Sequence, residues 1–220
     1  MKKLLSIFCL TIMSAVFASA QTSDFKRSEF YVGYSNQQVD TGADSDTNNT
    51  ARDFFNDRLS FNGFETSGVY NVSRYVGVKG DFSGVYRNRD FRFTTGAGST
   101  STTTGFETKN SLYNVLGGVQ VKDNATETRV KPFGHALVGV GHARTKVENF
   151  TTTSTGSTTG GTFAADSFSD TGLSMAFGGG LDIKINDKID FRAVQVDYNP
   201  IRLNGAFDHN VRFGIGVVFH

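Results

Sequence analysis

Apolar positions alternate with small or polar ones along most of this chain. In GLSMAFGGGLDIKI (172–185), Leu173, Met175, Phe177, Gly179, Leu181 and Ile183 form one set. Gly172, Ser174, Ala176, Gly178, Gly180, Asp182 and Lys184 form the other. A period of two marks a β-strand with two unlike faces. The same pattern predicts eight strands, at 28–40, 59–73, 75–88, 110–122, 129–145, 171–185, 188–198 and 209–219. The nearest candidate for a helix beyond the N-terminal region is ARDFFNDR (51–58), which is short. The expected class is all-β.

The connections alternate in length. Short links are expected at Ser73-Arg74, at 123–128 and at Asn186-Asp187-Lys188; long ones at 41–58, 89–109, 146–170 and 199–208. Two long links hold low-complexity tracts, TTGAGSTSTTTG (94–105) and TTTSTGSTTGG (151–161). Such tracts have little to bury, so the expectation is mobile, solvated loop. Eight antiparallel strands with this rhythm collect the long loops at one end, as in a bacterial outer-membrane barrel.

The two faces differ in kind. In the third strand Val76, Val78, Phe82 and Tyr86 share a face with Gly80 and Gly84; Gly77, Lys79, Asp81, Ser83 and Arg87 share the other, with Val85 as an exception. In the eighth, Val211, Phe213, Ile215, Val217 and Phe219 oppose Arg212, Gly214, Gly216 and Val218. A face of glycines with occasional charges suits the crowded interior of an eight-stranded barrel. A Lys or Arg facing lipid at mid-bilayer costs roughly 2–4 kcal/mol, so the charged face points inward. The lipid-facing set is then Val76, Val78, Phe82, Leu173, Met175, Phe177, Leu181, Ile183, Val211, Phe213, Ile215, Val217 and Phe219. Ten residues at ~3.3 Å, tilted ~45°, rise roughly 23 Å, about the height of the apolar band. Tyr70, Tyr75, Tyr86, Tyr113 and Tyr198 at strand ends would supply an interfacial girdle. Leu116, Phe133, His135 and Leu137 fall on the inner face. The seventh strand, IDFRAVQVDY, loses phase; a bulge between Arg192 and Gln195 would return Arg192, Gln195 and Asp197 to one face.

An interior polar network follows: Glu65, Lys79, Asp81, Asp182, Lys184, Arg192, Asp197 and Arg212. Buried charges must be paired, so charge pairing that fills a closed lumen is one reading. A narrow gated pore or a small-ligand site is the other.

The ends set the compartment. Met1-Lys2-Lys3, the apolar run Leu4–Phe17 and Ala18-Ser19-Ala20 before Gln21 read as a secretory signal peptide over 1–20, cleaved between Ala20 and Gln21. The domain is expected over 21–220. Cys9 is the only cysteine, so the mature chain has no disulfide. A formal net charge of +1 gives no electrostatic case for nucleic acid. No apolar run beyond the signal is long enough for a spanning helix, a test that membrane β-barrels also pass. DSDTN (44–48) spaces Asp44, Asp46 and Asn48 as a calcium loop does, but Asn49 and Phe55 stand where such a loop needs Gly and Glu. No metal site and no cofactor are expected.

With its signal, eight strands, long loops and closing NVRFGIGVVFH, the chain resembles the small OmpA/OmpX-type outer-membrane β-barrel family. The resemblance covers the whole mature chain and rests on pattern, not on one motif. Phe219 is penultimate, before His220, where the family ends on an aromatic residue; tryptophan is absent. The resemblance implies a single eight-stranded antiparallel up-and-down transmembrane β-barrel with short periplasmic turns and long extracellular loops. It implies a monomer among outer-membrane lipids, inserted by the barrel-assembly machinery through its C-terminal strand. The sequence stops at the eighth strand, so the separate peptidoglycan-binding domain of full-length OmpA proteins is expected to be missing. The role expected is structural or surface-interacting, with a ligand or surface met at the loops, and not enzymatic. Two alternatives stay open. A soluble lipocalin-like barrel would turn the apolar face inward onto a small apolar ligand. A lipid A-modifying barrel enzyme would need a His and Ser close together with an acid, and His209 or His135 would be the histidine to change.

Overall fold

The computed structural model describes residues 25–40, 58–97, 100–124, 129–154, 166–203 and 205–220. The signal region with Ala20 and Gln21, the DSDTN stretch, nearly all of ARDFFNDR and residues 155–165 lie outside the described residues. Eight strands follow in order: β1 (Ser28–Asp40), β2 (Arg58–Asn71), β3 (Val76–Ala97), β4 (Thr100–Lys122), β5 (Val130–Ser154), β6 (Asp166–Lys184), β7 (Ile189–Leu203) and β8 (Ala206–Phe219). Each pairs antiparallel with the next, and β8 returns to β1, which closes the barrel. Closure leaves no unpaired sheet edge.

Alternation assigns the faces. Val76, Val78, Phe82, Leu173, Phe177, Leu181 and Ile215 are exposed on the outer wall. Met175, Ile183, Val211, Phe213, Val217 and Phe219 are half-buried on that same wall. Lys79, Asp81, Arg192 and Arg212 are buried inside. The apolar face is thus outward, the reverse of what a lipocalin-like interior requires. Tyr70 and Tyr75 are exposed beside the β2–β3 turn. Tyr86 and Tyr198, expected at strand ends, are exposed within β3 and β7 because those strands run on, and Tyr113, inside β4, packs edge-on against Tyr86 with ring centroids 5.7 Å apart.

Three expected loops are strand instead, wholly or in part. Of 146–170, β5 takes in the residues up to Ser154 and β6 those from Asp166, and 155–165 lie outside the described residues. The 89–109 segment continues the β3–β4 hairpin, from Arg89↔Thr108 to Ala97↔Thr100, and takes in most of the 94–105 tract. Threonine is β-branched and suits an exposed strand that buries nothing. Thr94 and Thr103 join through their hydroxyls at 3.0 Å, and Thr102 joins Ser154 at the same distance. The 199–208 segment also belongs to strands. Ile201 is fully buried, which carries β7 inward to Leu203, and Gly205 turns the chain at φ 85°.

The register of β7 shifts against β8 between Arg192 and Gln195, and against β6 at Leu181/Asp182. Arg192, Gln195 and Asp197 are all buried on the inner face. The facing glycines of β6 permit the close approach. A Cβ on Gly178 would stand 2.2 Å from the Val196 carbonyl oxygen, and one on Gly180 would stand 2.0 Å from that of Val194.

Candidate functional site

The lumen is filled in layers. At its centre β8 contributes Arg212, whose guanidinium donates to Asp81 at 2.8 Å and to Asp197 at 2.7 Å. Glu65 lies 3.6 Å from the same guanidinium. The Gln195 amide donates to Glu65 at 2.7 Å and to Asp197 at 2.8 Å. Lys79 lies 3.9 Å from Asp81 and 3.1 Å from His135 Nδ1, while His135 Nε2 lies 2.9 Å from Asp197. Small residues make the room: Gly214 and Gly216 follow Arg212 on the inner face of β8.

Toward the short-turn end a second group is built on Asp182. Arg192 grips it with two donors, at 2.8 and 3.1 Å. Lys122 reaches it at 3.1 Å and reaches Glu29 at 2.7 Å. The Arg192 guanidinium also lies over two rings, 4.3 Å from the Tyr31 centroid and 4.0 Å from that of Phe133. Its cation is thus neutralised in its plane and covered on its faces. At the mouth, Asp190 meets Lys131 at 3.2 Å and His220 at 2.9 Å.

Toward the loop end the polar groups lose their charge. Gln37, Asn199, Ser174 and Asn114 form a chain of hydrogen bonds between 2.9 and 3.2 Å. Beyond them Phe61, Val85, Leu112 and Ile201 pack as an apolar cap. The lumen thus carries ion-paired groups at its centre and toward the short-turn end, and packed hydrocarbon toward the other.

Glu65, Lys79, Asp81, Asp182, Arg192, Asp197 and Arg212 therefore lie together in the lumen. Lys184 does not join them. It is two residues nearer the strand end than Asp182, and it turns to Asp187 at 2.9 Å. The sequence reading missed Glu29, Lys122, Lys131 and Asp190, which the lumen also buries. Each is in phase with inward neighbours, Glu29 with Tyr31 and Lys122 with Gln120, so parity was the available signal.

The two histidines that an enzyme reading would use are far apart in kind. His135 is enclosed among Lys79, Asp197 and Phe133. His209 is on the outer wall against the Tyr198 hydroxyl, its ring stacked on the tyrosine. Among the described residues no group of three or more His, Cys, Asp or Glu is placed to hold a metal ion.

The outer wall carries one further feature. Above Tyr86 and Tyr113 the β3–β5 sheet holds a groove of about 470 Å³, which includes Asn88, Lys109, His142, Arg144, Lys146 and Glu148. Lys109 meets Glu148 at 2.7 Å. That contact holds the Glu148 carboxyl below the usual carboxylate range and raises the Lys109 ammonium.

No curated protein matches this chain. Among solved structures, Ail, the attachment invasion locus protein of Yersinia pestis, is similar at 19% identity and a TM-score of 0.50, over 88% of this chain and 98% of that one. A second structure of Ail, in complex with the heparin analogue sucrose octasulfate, is similar at 20% identity and a TM-score of 0.52, over the same shares. These likenesses are of fold. The model of the outer membrane protein beta-barrel domain family matches residues 7–220. The chain belongs to that family, and it is a β-barrel protein of the bacterial outer membrane.

Proposed function

We propose that this protein is a non-enzymatic surface-binding barrel: a rigid peg in the outer membrane that meets an extracellular partner through the sheet raised by β3, β4 and β5. The observation that carries this reading is the length of that sheet. Beyond Tyr86↔Ser111, β3 and β4 stay in register from Arg87↔Asn110 to Ala97↔Thr100. On β5, pairing with β4 continues to Ser154. These strands run well past the ten or so residues needed to cross the apolar band.

The lumen supports a peg and not a transporter. Arg192, Arg212, Tyr31 and Lys79 are the largest of its fully buried side chains, and all belong to packed or ion-paired groups. The emergent sheet carries a mixed chemistry. Phe91 and Phe106 stack at 5.1 Å, Phe93 lies beside them, and the Arg89 guanidinium covers Phe91 at 5.4 Å. Aromatic and arginine side chains are the residues that most often dominate binding surfaces. The Ail complex names a heparin analogue as that protein's ligand; for this chain a sulfated polysaccharide is the first probe. The barrel acts as a monomer in outer-membrane lipid, and its C-terminal strand, ending Phe219-His220, is the segment that the assembly machinery would engage.

The test replaces residues 90–107 by Asn-Gly, which joins the register partners Arg89 and Thr108 through a two-residue hairpin turn. The shortened protein should keep its outer-membrane location and its mobility shift on boiling in SDS. Bacteria that carry it should lose attachment to immobilised heparin and to cultured epithelial cells. Attachment equal to that of the full-length protein would refute the reading.

A further inference from the structure

The groove above Tyr86 and Tyr113 contains an arrangement that pairing within the protein leaves incomplete. Lys109 and Lys146 are direct register partners on β4 and β5 and share the outer face. Like charges opposite one another destabilise a strand pair. Glu148 takes Lys109 at 2.7 Å. Lys146 acts on Glu148 by charge alone. Arg144, two residues nearer the membrane on the same face, is exposed, and its guanidinium has no ion pair among the described residues.

Below these cations the wall changes character in a fixed order. Tyr86 and Tyr113 come first, edge to face. Val115, Val138 and Val140 follow, each more than half exposed on the same face. Read outward from the bilayer centre, the strip is apolar, then aromatic, then cationic. Tyrosine favours the interface between hydrocarbon and headgroups, which sets the cations at headgroup height. An amphiphile that matches this order has acyl chains below and an anionic head above.

We propose that this wall is a binding site for a phosphorylated, multiply acylated lipid of the outer leaflet. Arg144 and Lys146 hold a phosphate. The fork of a guanidinium matches two phosphate oxygens, and the ammonium supplies a second charge. The valines carry the acyl chains. The site is separate from the emergent hairpin, so it stands or falls independently of the partner proposed above.

The test uses the refolded protein in phosphatidylcholine vesicles, alone or with added bisphosphorylated lipid A, or with the same lipid freed of its phosphates. The readout is the temperature at which the folded band is lost on SDS gels, followed as lipid A is titrated. The phosphorylated lipid should raise this temperature for the wild type. A variant carrying Arg144→Gln and Lys146→Gln should need about thirtyfold more lipid for the same rise, given the usual contribution of each basic residue at an anionic surface. Arg144→Lys should keep most of the response. Arg202→Gln, which removes an exposed cation elsewhere on the wall, should keep all of it. The variants lie outside the apolar band, and their folding is checked by the folded band in phosphatidylcholine alone. The proposal is overturned if the wild type does not respond, if the phosphate-free lipid works equally well, or if the double variant responds as the wild type does.

Discussion

Arg212 and Asp81 are 131 residues apart in the chain and meet at 2.8 Å across the lumen, joining β8 to β3. Neither strand is a neighbour of the other in the sheet. This pair, with Asp197 and Glu65 around it, braces opposite walls of the barrel. Removal of one partner from a buried pair leaves an uncompensated charge and costs about 3–5 kcal/mol. Arg212→Met should lose about that much in urea unfolding from vesicles. Arg212→Met combined with Asp81→Asn and Asp197→Asn should recover part of the loss.

Arg192 tests geometry separately from charge. Lysine keeps the cation but loses the two-donor grip on Asp182 and the flat contact with Tyr31 and Phe133. Arg192→Lys should destabilise by about 1–3 kcal/mol on the same assay, the sum of a lost charged hydrogen bond and a weakened ring contact.

The outer wall makes the opposite demand. Val138 is exposed near the middle of the membrane-crossing part of β5. Val138→Arg should cost about 2–4 kcal/mol. Asn88→Arg, above the tyrosines on β3, should change stability by about 0.5 kcal/mol or less. Equal effects at the two positions would show that the apolar wall is not in lipid.

Two glycines should behave unlike each other. A side chain at Gly178 meets the backbone of β7, so Gly178→Val should cost about 1–3 kcal/mol or prevent folding. Gly80 faces outward, and a Cβ there meets nothing within 4 Å. Gly80→Ala should be neutral or stabilise by about 0.4–1 kcal/mol, because the unfolded chain loses freedom. Unfolding midpoints in urea separate the two.

The Lys109–Glu148 pair predicts a pH response at the surface. Glu148 titrates below its unfolded value, so its stabilisation is present above that value and is lost as pH falls through the lower, folded one. Lys109 titrates above its unfolded value, so its share is present below that value and is lost as pH rises through the folded one. Carboxylate NMR should find Glu148 below ordinary glutamates, and Lys109→Met should return it to them.

Strand faces were legible wherever both sides of the alternation had a distinct chemistry. In 172–185 the apolar set is bulky and the other set small or charged, and β6 points them accordingly. The phase break in β7 was legible because Arg192, Gln195 and Asp197 cannot share a face without an irregularity, and the register shifts there. Strand ends were less legible. Glu29, Lys131 and Asp190 stand beside turns, where a charge reads equally well as a solvated turn residue. The Thr-rich hairpin was missed because burial does not alternate there: residues 102–110 of β4 are half-buried on both faces, and most of β3 beyond Arg87 is exposed. Partner choice in the lumen was out of reach for another reason. Which wall Arg212 touches depends on the stagger of all eight strands, and no local pattern encodes it.

The pairing of β1 with β8 sets Phe30 opposite Phe219. The first strand of the barrel therefore cannot complete its hydrogen bonds until the last has been synthesised. Any shorter chain exposes two rows of backbone donors and acceptors, which hydrocarbon does not tolerate. Unassisted insertion strand by strand, with both edges bare to lipid, is closed to such a molecule. It enters the bilayer as an essentially finished ring, or with its seam sheltered until the final strand arrives.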